Sequence, residues 1–342
     1  MANLSDKIQI SIEDLEEIMG VYKLQEFIER AETRFIRQTT EIATRVADDD
    51  RVRVVFVSGP TSSGKTTFTD RLVTKLCELG KPAARISLDD YYAISQVPFD
   101  EDGRPDYESE SNLDMRLASI DLARLVSGEA VVTPTFDFQV RDRIVDENKP
   151  ALQVGENGVV VVEGLHGLSQ QIAGHFPKEQ YVGVFIMPYA SVMSDNRLLD
   201  SDDLRMLRRI VRDVRHRGAH ALSTIDYWPM ITKSEQNYYS DYLTRADYHV
   251  NSFLIYEPLI IASTAYRDIR DSLEQYEANT LPPSVFMSRT KPPKPFADEE
   301  RAVAKARMLL TWLSKIPSAS SNRIPPNSIL NEFLEENSKE GE

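Results

Sequence analysis

The stretch VVFVSGPTSSGKTTFTDRL, residues 54–72, constrains the fold more than any other part of the chain. It begins with a β-branched and aromatic run that is typical of a buried strand, passes through a glycine-containing loop, and ends in a helical pattern. The loop, residues 59–66, fits G-x-x-x-x-G-K-[ST] at every fixed position. Its glycines let successive N–H groups turn inward around an anion, and the following helix adds the positive end of its dipole. The stretch therefore predicts a strand, a loop and a helix that together hold phosphate.

Two residues at the end of this loop have predicted roles in nucleotide binding. Lys65 supplies a point charge for the β- and γ-phosphates of a nucleotide, and the Thr66 hydroxyl is placed to bind Mg²⁺. A Gly/Ser loop that merely caps a helix is the alternative, but the strand before it and the helix after it favour phosphate binding. The predicted ATP-binding residues are Gly59, Pro60, Thr61, Ser62, Ser63, Gly64, Lys65, Thr66 and Thr67.

Composition narrows the class of protein. The chain has 342 residues, of which 41% are hydrophobic and 27% charged, as in ordinary globular proteins. Its net charge of −14 argues against a general nucleic-acid or membrane-surface binder. The single cysteine, Cys77, excludes an intramolecular disulfide, and neither a signal pattern nor a run of about 18 apolar residues is present. We therefore expect a cytoplasmic protein without nucleic-acid or membrane partners.

Predicted strands alternate with helical patterns after residue 50, which is typical of a parallel sheet covered by helices on both faces. The stretch 130–145 differs, because its alternating pattern and Pro134 indicate a β-hairpin arm at an edge. The predicted fold class is α/β. Further strands are predicted at 83–88, 158–164, 180–187 and 247–252, and helices at 66–79, 112–127 and 204–219.

The chain divides into three predicted regions. Residues 1–50 form a helical N-terminal extension, with two helices within 11–47, and residues 51–280 form the phosphate-loop domain. Residues 281–342 form a C-terminal segment with one helix near 298–314. Its acidic end is expected to be disordered.

Carboxylates follow two of the predicted strands at their carboxyl ends, where α/β sheets bind ligands. Asp89 follows the strand 83–88 and can accept a hydroxyl proton or hold Mg²⁺ through water. Glu163 ends a strand of four valines and can bind a Mg²⁺ complex, with Gly164 leaving room for a ligand. An aspartate pair that caps a helix and a strand-end charge in water are the alternatives.

The stretch 203–218 predicts a helix that is apolar on one face and cationic on another. A mobile lid that closes over phosphates and excludes water fits this pattern, and a solvated face paired with local aspartates is the alternative. The arginines at i, i+3, i+4 and i+7 are Arg205, Arg208, Arg209 and Arg212.

Aromatic and polar residues between these motifs can form a site for the group that receives the phosphate. The aromatic rings offer a stacking surface, the carboxylates can grip sugar hydroxyls, and the guanidinium groups can hydrogen-bond a carbonyl-bearing edge. Each aromatic residue alone indicates packing rather than recognition. The candidates are Tyr91, Tyr92, Tyr107, Glu108, Phe136, Asp137, Phe138, Arg141 and Arg143.

The order of these motifs resembles the uridine kinase and phosphoribulokinase family of P-loop kinases. That family runs from the phosphate loop through Asp-x-[FY]-Tyr, a Phe-Asp-Phe hairpin and a strand ending Glu-Gly to an arginine helix that ends Arg-Gly. Here the motifs stand at 59–66, 89–92, 136–138, 163–164 and 208–218. A closer likeness is to a bacterial nucleoside-kinase branch that usually follows a threonyl-tRNA-synthetase-like region, through TIDYWPMITKSEQNYY, NSFLIYE and IPPNSILNEF. Since that upstream region is missing, we expect a stand-alone kinase.

The resemblance implies a P-loop NTPase fold with a β-hairpin substrate arm and an Arg-rich helical lid. It also implies ATP- and Mg²⁺-dependent transfer to the primary hydroxyl of a nucleoside. Asp89 would be the general base on the acceptor hydroxyl, aided by Mg²⁺. Lys65 and the lid residues Arg205, Arg208, Arg209 and Arg212 would stabilise the phosphoryl group, with Lys65, Arg208 and Arg212 counted as catalytic. The implied metal ligands are Thr66, Asp89 and Glu163. The implied acceptor site comprises Asp89, Tyr92, Glu108, Phe136, Arg141 and Arg143.

Two departures from the family pattern leave the acceptor open. Glu108 replaces an aspartate that usually grips the ribose, and Arg141 replaces a histidine that reads the pyrimidine edge. A kinase for a sugar phosphate or polyol and a nucleotide-binding regulatory protein without transfer activity are the alternatives. The sequence also leaves open the choice between ATP and GTP and the oligomeric state. The inserted stretch 189–202 could reach either the acceptor or a neighbouring subunit of a homo-oligomer.

Overall fold

Strands and helices alternate along the chain around one central sheet. The computed structural model describes residues 7–20, 23–93, 97–137, 142–144, 148–287 and 294–334. In these ranges the strands are β1 (Ile8–Ser11), β2 (Val54–Ser58), β3 (Ala83–Ser87), β4 (Thr135–Asp137), β5 (Asp142–Ile144), β6 (Val159–Glu163), β7 (Tyr181–Met187), β8 (Ala190–Met193), β9 (Arg197–Leu199) and β10 (Tyr248–Asn251). The helices are α1 (Ile12–Ile18), α2 (Lys23–Ala47), α3 (Lys65–Glu78), α4 (Met115–Val126), α5 (Gln170–Ala173), α6 (Ser201–His216), α7 (Ala221–Arg245), α8 (Pro258–Glu277), α9 (Glu299–Leu313) and α10 (Asn331–Leu334).

The central sheet has the strand order β10-β7-β2-β6-β3, and every pairing in it is parallel. All five residues of β2 and of β6 are buried, since helices cover both faces of these central strands. This burial explains why their sequences are continuous valine-rich runs rather than alternating ones. The predicted α/β fold is confirmed.

The strands β4 and β5 form an antiparallel pair in which Phe136 lies opposite Arg143. This is the hairpin expected within 130–145. Phe138 and Arg141, two of the candidate acceptor residues, lie outside the described residues. The hairpin is tied to the central sheet, because the backbone N–H of Phe136 donates to the Asp90 carboxylate at 3.2 Å.

A second, smaller sheet joins the N-terminal region to the inserted stretch. Its order is β1-β8-β9, with β1 parallel to β8 and Ile8 aligned with Ala190. The sequence did not indicate these short strands, because a strand of three or four residues leaves almost no periodicity. The stretch 189–202 is therefore fixed against residues 8–11 of its own chain.

The N-terminal and C-terminal regions share one hydrophobic core with the central sheet. Phe35 of α2, Val55 of β2, Leu309 of α9 and Phe333 of α10 are buried members of the same cluster. The predicted C-terminal helix corresponds to α9, and α10 is a second, short helix that was not predicted. The last residues of the chain, 335–342, for which disorder was expected, lie outside the described residues. Among the helices described, none is both long and apolar enough to cross a membrane.

Candidate active site

The loop between β2 and α3 has a backbone that only glycine accommodates at two positions. A Cβ atom on Gly59 would lie 2.2 Å from the carbonyl oxygen of Ile186, and Gly64 has a φ of +86°. The hydroxyls of Ser62 and Ser63 are buried and have no hydrogen-bond partner among the described residues. Buried polar atoms normally have a partner, so these orphaned groups fit a loop built to receive an anion.

Lys65 begins α3, and its ammonium group bends back over the loop. Nζ donates to the carbonyl oxygens of Gly59 and Pro60, each at 3.0 Å. The lysine charge therefore lies directly above the turn of N–H groups. This arrangement favours the phosphate oxygens of a nucleotide at the same place.

A cavity of about 410 Å³ opens beside the loop. It brings together residues that the sequence predicted on separate elements, and its further walls come from residues outside the predicted set. The predicted residues that line it are Thr61, Ser62, Ser63, Gly64, Lys65, Thr66, Asp89, Tyr92, Tyr107, Glu108, Phe136, Glu163, Arg209 and Arg212. Asp90 and Arg217, which belong to the predicted motifs, also line it. Lining residues that were not expected are Arg85, Ser87, Leu165, Val285, Phe286 and Glu332.

Two carboxylates face the cavity from neighbouring strand ends. The Glu163 carboxylate accepts a hydrogen bond from the Ser87 hydroxyl at 2.8 Å, because β3 and β6 pair in register at these residues. Burial, and then the negative charge of Asp89, raises the pKa of Glu163 to about 7. Lys65 and Arg85 act in the opposite direction but do not offset the burial.

The donor set at these strand ends fits Mg²⁺. The negative charges of Asp89 and Glu163 repel each other, and a bound cation would relieve this repulsion. Together with the Thr66 hydroxyl, the two carboxylates offer the hard oxygen ligands that Mg²⁺ prefers. In the described ranges no group of three or more carboxylate, histidine or cysteine side chains could hold a metal by itself. Such a partial set suits an ion that keeps several waters and binds together with nucleotide phosphates.

The arginines of α6 divide into two pairs, which corrects the expected single cationic face. Arg205 is paired with Glu235 of α7 at 2.8 Å, and Arg208 with Glu257 at 2.6 Å. Both arginines are buried, and neither lines the cavity. Arg208 also donates to the carbonyl oxygen of Ser62 at 3.2 Å, so it supports the phosphate loop from behind.

Arg209 and Arg212 do reach the cavity. Arg209 donates to the Thr61 hydroxyl at 2.8 Å and to the Glu108 carboxylate at 3.1 Å. Arg209, Arg212 and Arg217 all approach the one carboxylate of Asp213. Burial, and then repulsion by Arg217, lowers the pKa of Arg212 to about 10. Three guanidinium groups around one carboxylate leave an excess of positive charge that suits a phosphoryl group.

The opposite end of the cavity is aromatic and carries a carboxylate. The rings of Tyr92 and Phe136 lie with their centroids 5.3 Å apart. Glu108 is fixed by Arg209 and by His166, whose Nε2 donates to the Glu108 backbone oxygen at 2.8 Å. Burial lowers the pKa of His166, so the ring is neutral and its Nδ1 accepts from a tyrosine hydroxyl.

Arg143 does not line the cavity, contrary to its place in the predicted acceptor site. Its Nε donates to the carbonyl oxygen of Tyr92 at 2.9 Å, and its Nη2 to that of Tyr91 at 2.8 Å. Arg143 therefore holds the turn after β3 in place. Tyr91 is buried, and its hydroxyl donates to Asp121 rather than facing the cavity.

The C-terminal segment supplies cavity walls that the sequence reasoning missed. Phe286 stacks on Tyr227 with ring centroids 4.6 Å apart, beside Arg209. Glu332 accepts hydrogen bonds from the backbone N–H and the hydroxyl of Thr67. The pattern SILNEF could have indicated packing, since its apolar residues share a helix face, but nothing in it pointed to the phosphate loop.

Comparisons with known proteins show which family this chain resembles. A model of the Phosphoribulokinase / Uridine kinase family matches residues 54–254. The uridine kinase of Halobacterium salinarum is 29% identical over 173 residues, covering 50% of this chain and 67% of its own. The uridine kinase of Clostridium perfringens is 27% identical over 188 residues, covering 54% of this chain and 79% of its own. The solved structure of a possible uridine kinase from Bacillus stearothermophilus has a TM-score of 0.38 and 17% identity, covering 58% of this chain and 88% of that one.

Proposed function

This chain belongs to the Phosphoribulokinase / Uridine kinase family and is an ATP-dependent kinase, and we propose that it phosphorylates the primary hydroxyl of a nucleoside with Mg²⁺ as cofactor. The observation that carries the proposal is the single cavity that joins the phosphate loop to the Tyr92–Phe136 aromatic end. Asp89 lies between the two ends of that cavity. Its negative charge contributes to raising the pKa of Glu163 at the phosphate end and the pKa of Tyr92 at the aromatic end.

The proposed reaction is an in-line displacement. The acceptor hydroxyl loses its proton to the Asp89 carboxylate while its oxygen forms a bond to the γ-phosphorus of ATP. The bond from that phosphorus to the bridging oxygen breaks, and ADP leaves. Lys65, Arg209 and Arg212 offset the charge on the phosphoryl oxygens during the transfer.

Mg²⁺ would be held by Thr66 and Glu163, with Asp89 near it, and would neutralise charge on the β- and γ-phosphates. Exclusion of water from the site would keep water from accepting the phosphoryl group in place of the nucleoside. Arg205 and Arg208 have no direct part in this proposal, because buried carboxylates occupy them.

The aromatic end fits a nucleoside better than a plain polyol. Tyr92 and Phe136 offer ring faces for a planar base, and Glu108, fixed by Arg209, can accept hydrogen bonds from sugar hydroxyls. The relatives named above are uridine kinases, which favours a pyrimidine nucleoside. A phosphorylated acceptor is the second candidate, because Arg217 lines the cavity in addition to Arg209 and Arg212.

The test is ADP release with MgATP across nucleosides, sugar phosphates and polyols, with a control that lacks any acceptor. We expect stimulation by uridine or cytidine. Asp89→Asn should lower turnover about 10²- to 10⁴-fold, the contribution typical of a general base, and should leave ATP binding intact. Glu108→Gln should raise the KM of the acceptor while leaving the KM of ATP unchanged. Turnover near wild type in Asp89→Asn would refute the assignment of the base.

A further inference from the structure

We propose that Glu332 is a further residue of the nucleotide site: its carboxylate takes the place of a nucleotide phosphate on Thr67 and must leave when the nucleotide binds. The residue therefore sets the affinity of the kinase for its nucleotide. The inference rests on the proposed function in one respect, namely that the loop at 59–66 holds nucleotide phosphates. It concerns a residue far outside the region that the family model matches.

The contact itself is direct. Oε2 of Glu332 accepts from the backbone N–H of Thr67 at 3.3 Å and from the Thr67 hydroxyl at 2.9 Å. Thr67 lies in the first turn of α3, where N–H groups have no partner within the helix. These are donors that a phosphate loop offers to the α- and β-phosphates of a nucleotide. A carboxylate and a phosphate therefore compete for the same two donors.

The segment that carries Glu332 is firmly anchored. Ile329, Leu330 and Phe333 are completely buried, and Ile329 lies so close to Gly64 that a Cβ there would approach it to 2.1 Å. The hydroxyl of Ser328 contacts that of Tyr256 at 3.0 Å. Removing three large apolar side chains from the core would be costly. Nucleotide binding is thus expected to move the Glu332 side chain and to leave the segment in place.

The Glu332 carboxylate also has an electrostatic role when no nucleotide is bound. Arg209, Arg212 and Arg217 share the one carboxylate of Asp213, and the negative charge of Glu332 partly offsets the lowering of the Arg212 pKa. Glu332 therefore acts as an internal counter-anion for Arg212 and for the positive end of α3. Once nucleotide phosphates arrive, the same charge repels them, so it must withdraw.

Calorimetric titration with ADP, in the absence of an acceptor, tests the inference. Glu332→Gln keeps a hydrogen-bonding oxygen but loses the charge, and we expect it to bind ADP about tenfold more tightly than the wild type. Glu277→Gln is the matched control, because Glu277 is 60% exposed and pairs with Arg307. Its ADP affinity should equal that of the wild type.

Thermal unfolding provides a second readout that a merely structural role would not reproduce. Without ligand, Glu332→Gln should have a lower Tm than the wild type, because the internal anion is weakened. With saturating ADP, its increase in Tm should be larger, as tighter binding requires. Glu332→Ala, which removes both the charge and the hydrogen-bonding oxygens, serves the same comparison if the glutamine variant folds poorly.

The outcomes separate the two proposals. Unchanged or weaker ADP binding in Glu332→Gln, alongside normal binding in the wild type, would overturn this inference and leave the kinase assignment standing. Failure of wild type and variants alike to bind ADP would overturn the proposed nucleotide site, and this inference with it. Tighter binding in the control as well would show that net charge, and not this contact, is responsible.

Discussion

Replacing Arg208 with methionine distinguishes a structural from a catalytic role for this residue. In the structure, Nε and Nη2 of Arg208 donate to the two carboxylate oxygens of Glu257 at 2.6 and 2.7 Å, and both side chains are completely buried. The variant would leave the Glu257 charge buried without its partner. Breaking a buried pair in this way costs about 3–5 kcal/mol. That is a large part of the 5–15 kcal/mol by which domains are usually stable.

Urea-induced unfolding, followed by the fluorescence of the buried Trp228, measures this loss. Arg208→Met should lower the free energy of unfolding by about 3–5 kcal/mol, whereas Arg208→Met combined with Glu257→Met should recover most of it, because an apolar pair of similar volume needs no counter-charge. The reasoning would be refuted if Arg208→Met unfolded within about 1 kcal/mol of wild type yet lost phosphoryl transfer. Arg208 would then act on the phosphates, as the sequence suggested.

Three further predictions concern the same surroundings. Arg212→Met should lower kcat about 10²- to 10³-fold in steady-state assays and leave the urea midpoint unchanged, since this guanidinium group repels its neighbours; a lower midpoint would contradict the role assigned to it. Gly64→Ala should destabilise the protein by clearly more than the roughly 1–2 kcal/mol expected for Gly80→Ala, because both glycines have positive φ but only Gly64 lies against Ile329; equal urea midpoints would count against that packing. Burial lowers the pKa of His220 to about 4, so the unfolded chain takes up a proton first as pH falls from 6.5 to 4, and stability should drop by at most about 3 kcal/mol; in His220→Asn this part of the pH dependence of unfolding should disappear.

The sequence predicted the central sheet because its strands are buried on both faces. Val54–Ser58 and Val159–Glu163 contain continuous apolar runs. Such runs are typical of strands that are buried on both faces of a parallel sheet. The small sheet was not predictable in the same way. β1 pairs with a strand about 180 residues away, and neither strand is long enough to show a period.

For the site, motif spacing placed the phosphate loop, Asp89 and Glu163 at one edge of the sheet. Motif spacing gave wrong or no roles for charged side chains whose partners lie far away in the sequence. Arg208 looks like a lid residue until Glu257, 49 positions later, is seen to pair with it. Arg143 is likewise taken by backbone carbonyl oxygens that no spacing rule reveals. Glu332 escaped notice because its partner is a backbone N–H group 265 positions earlier.

The shared hydrophobic core limits how this kinase can be truncated or recombined with other proteins. The family-matched region ends at residue 254, yet Phe286 and Glu332 complete the walls of its cavity. Helices from both flanks shield apolar faces that a trimmed core would expose to water. Residues 54–254 are therefore not expected to work when they are transferred to another protein without their flanking segments. Such a transfer would remove Phe286 and Glu332 from the cavity and the flanking helices from the core.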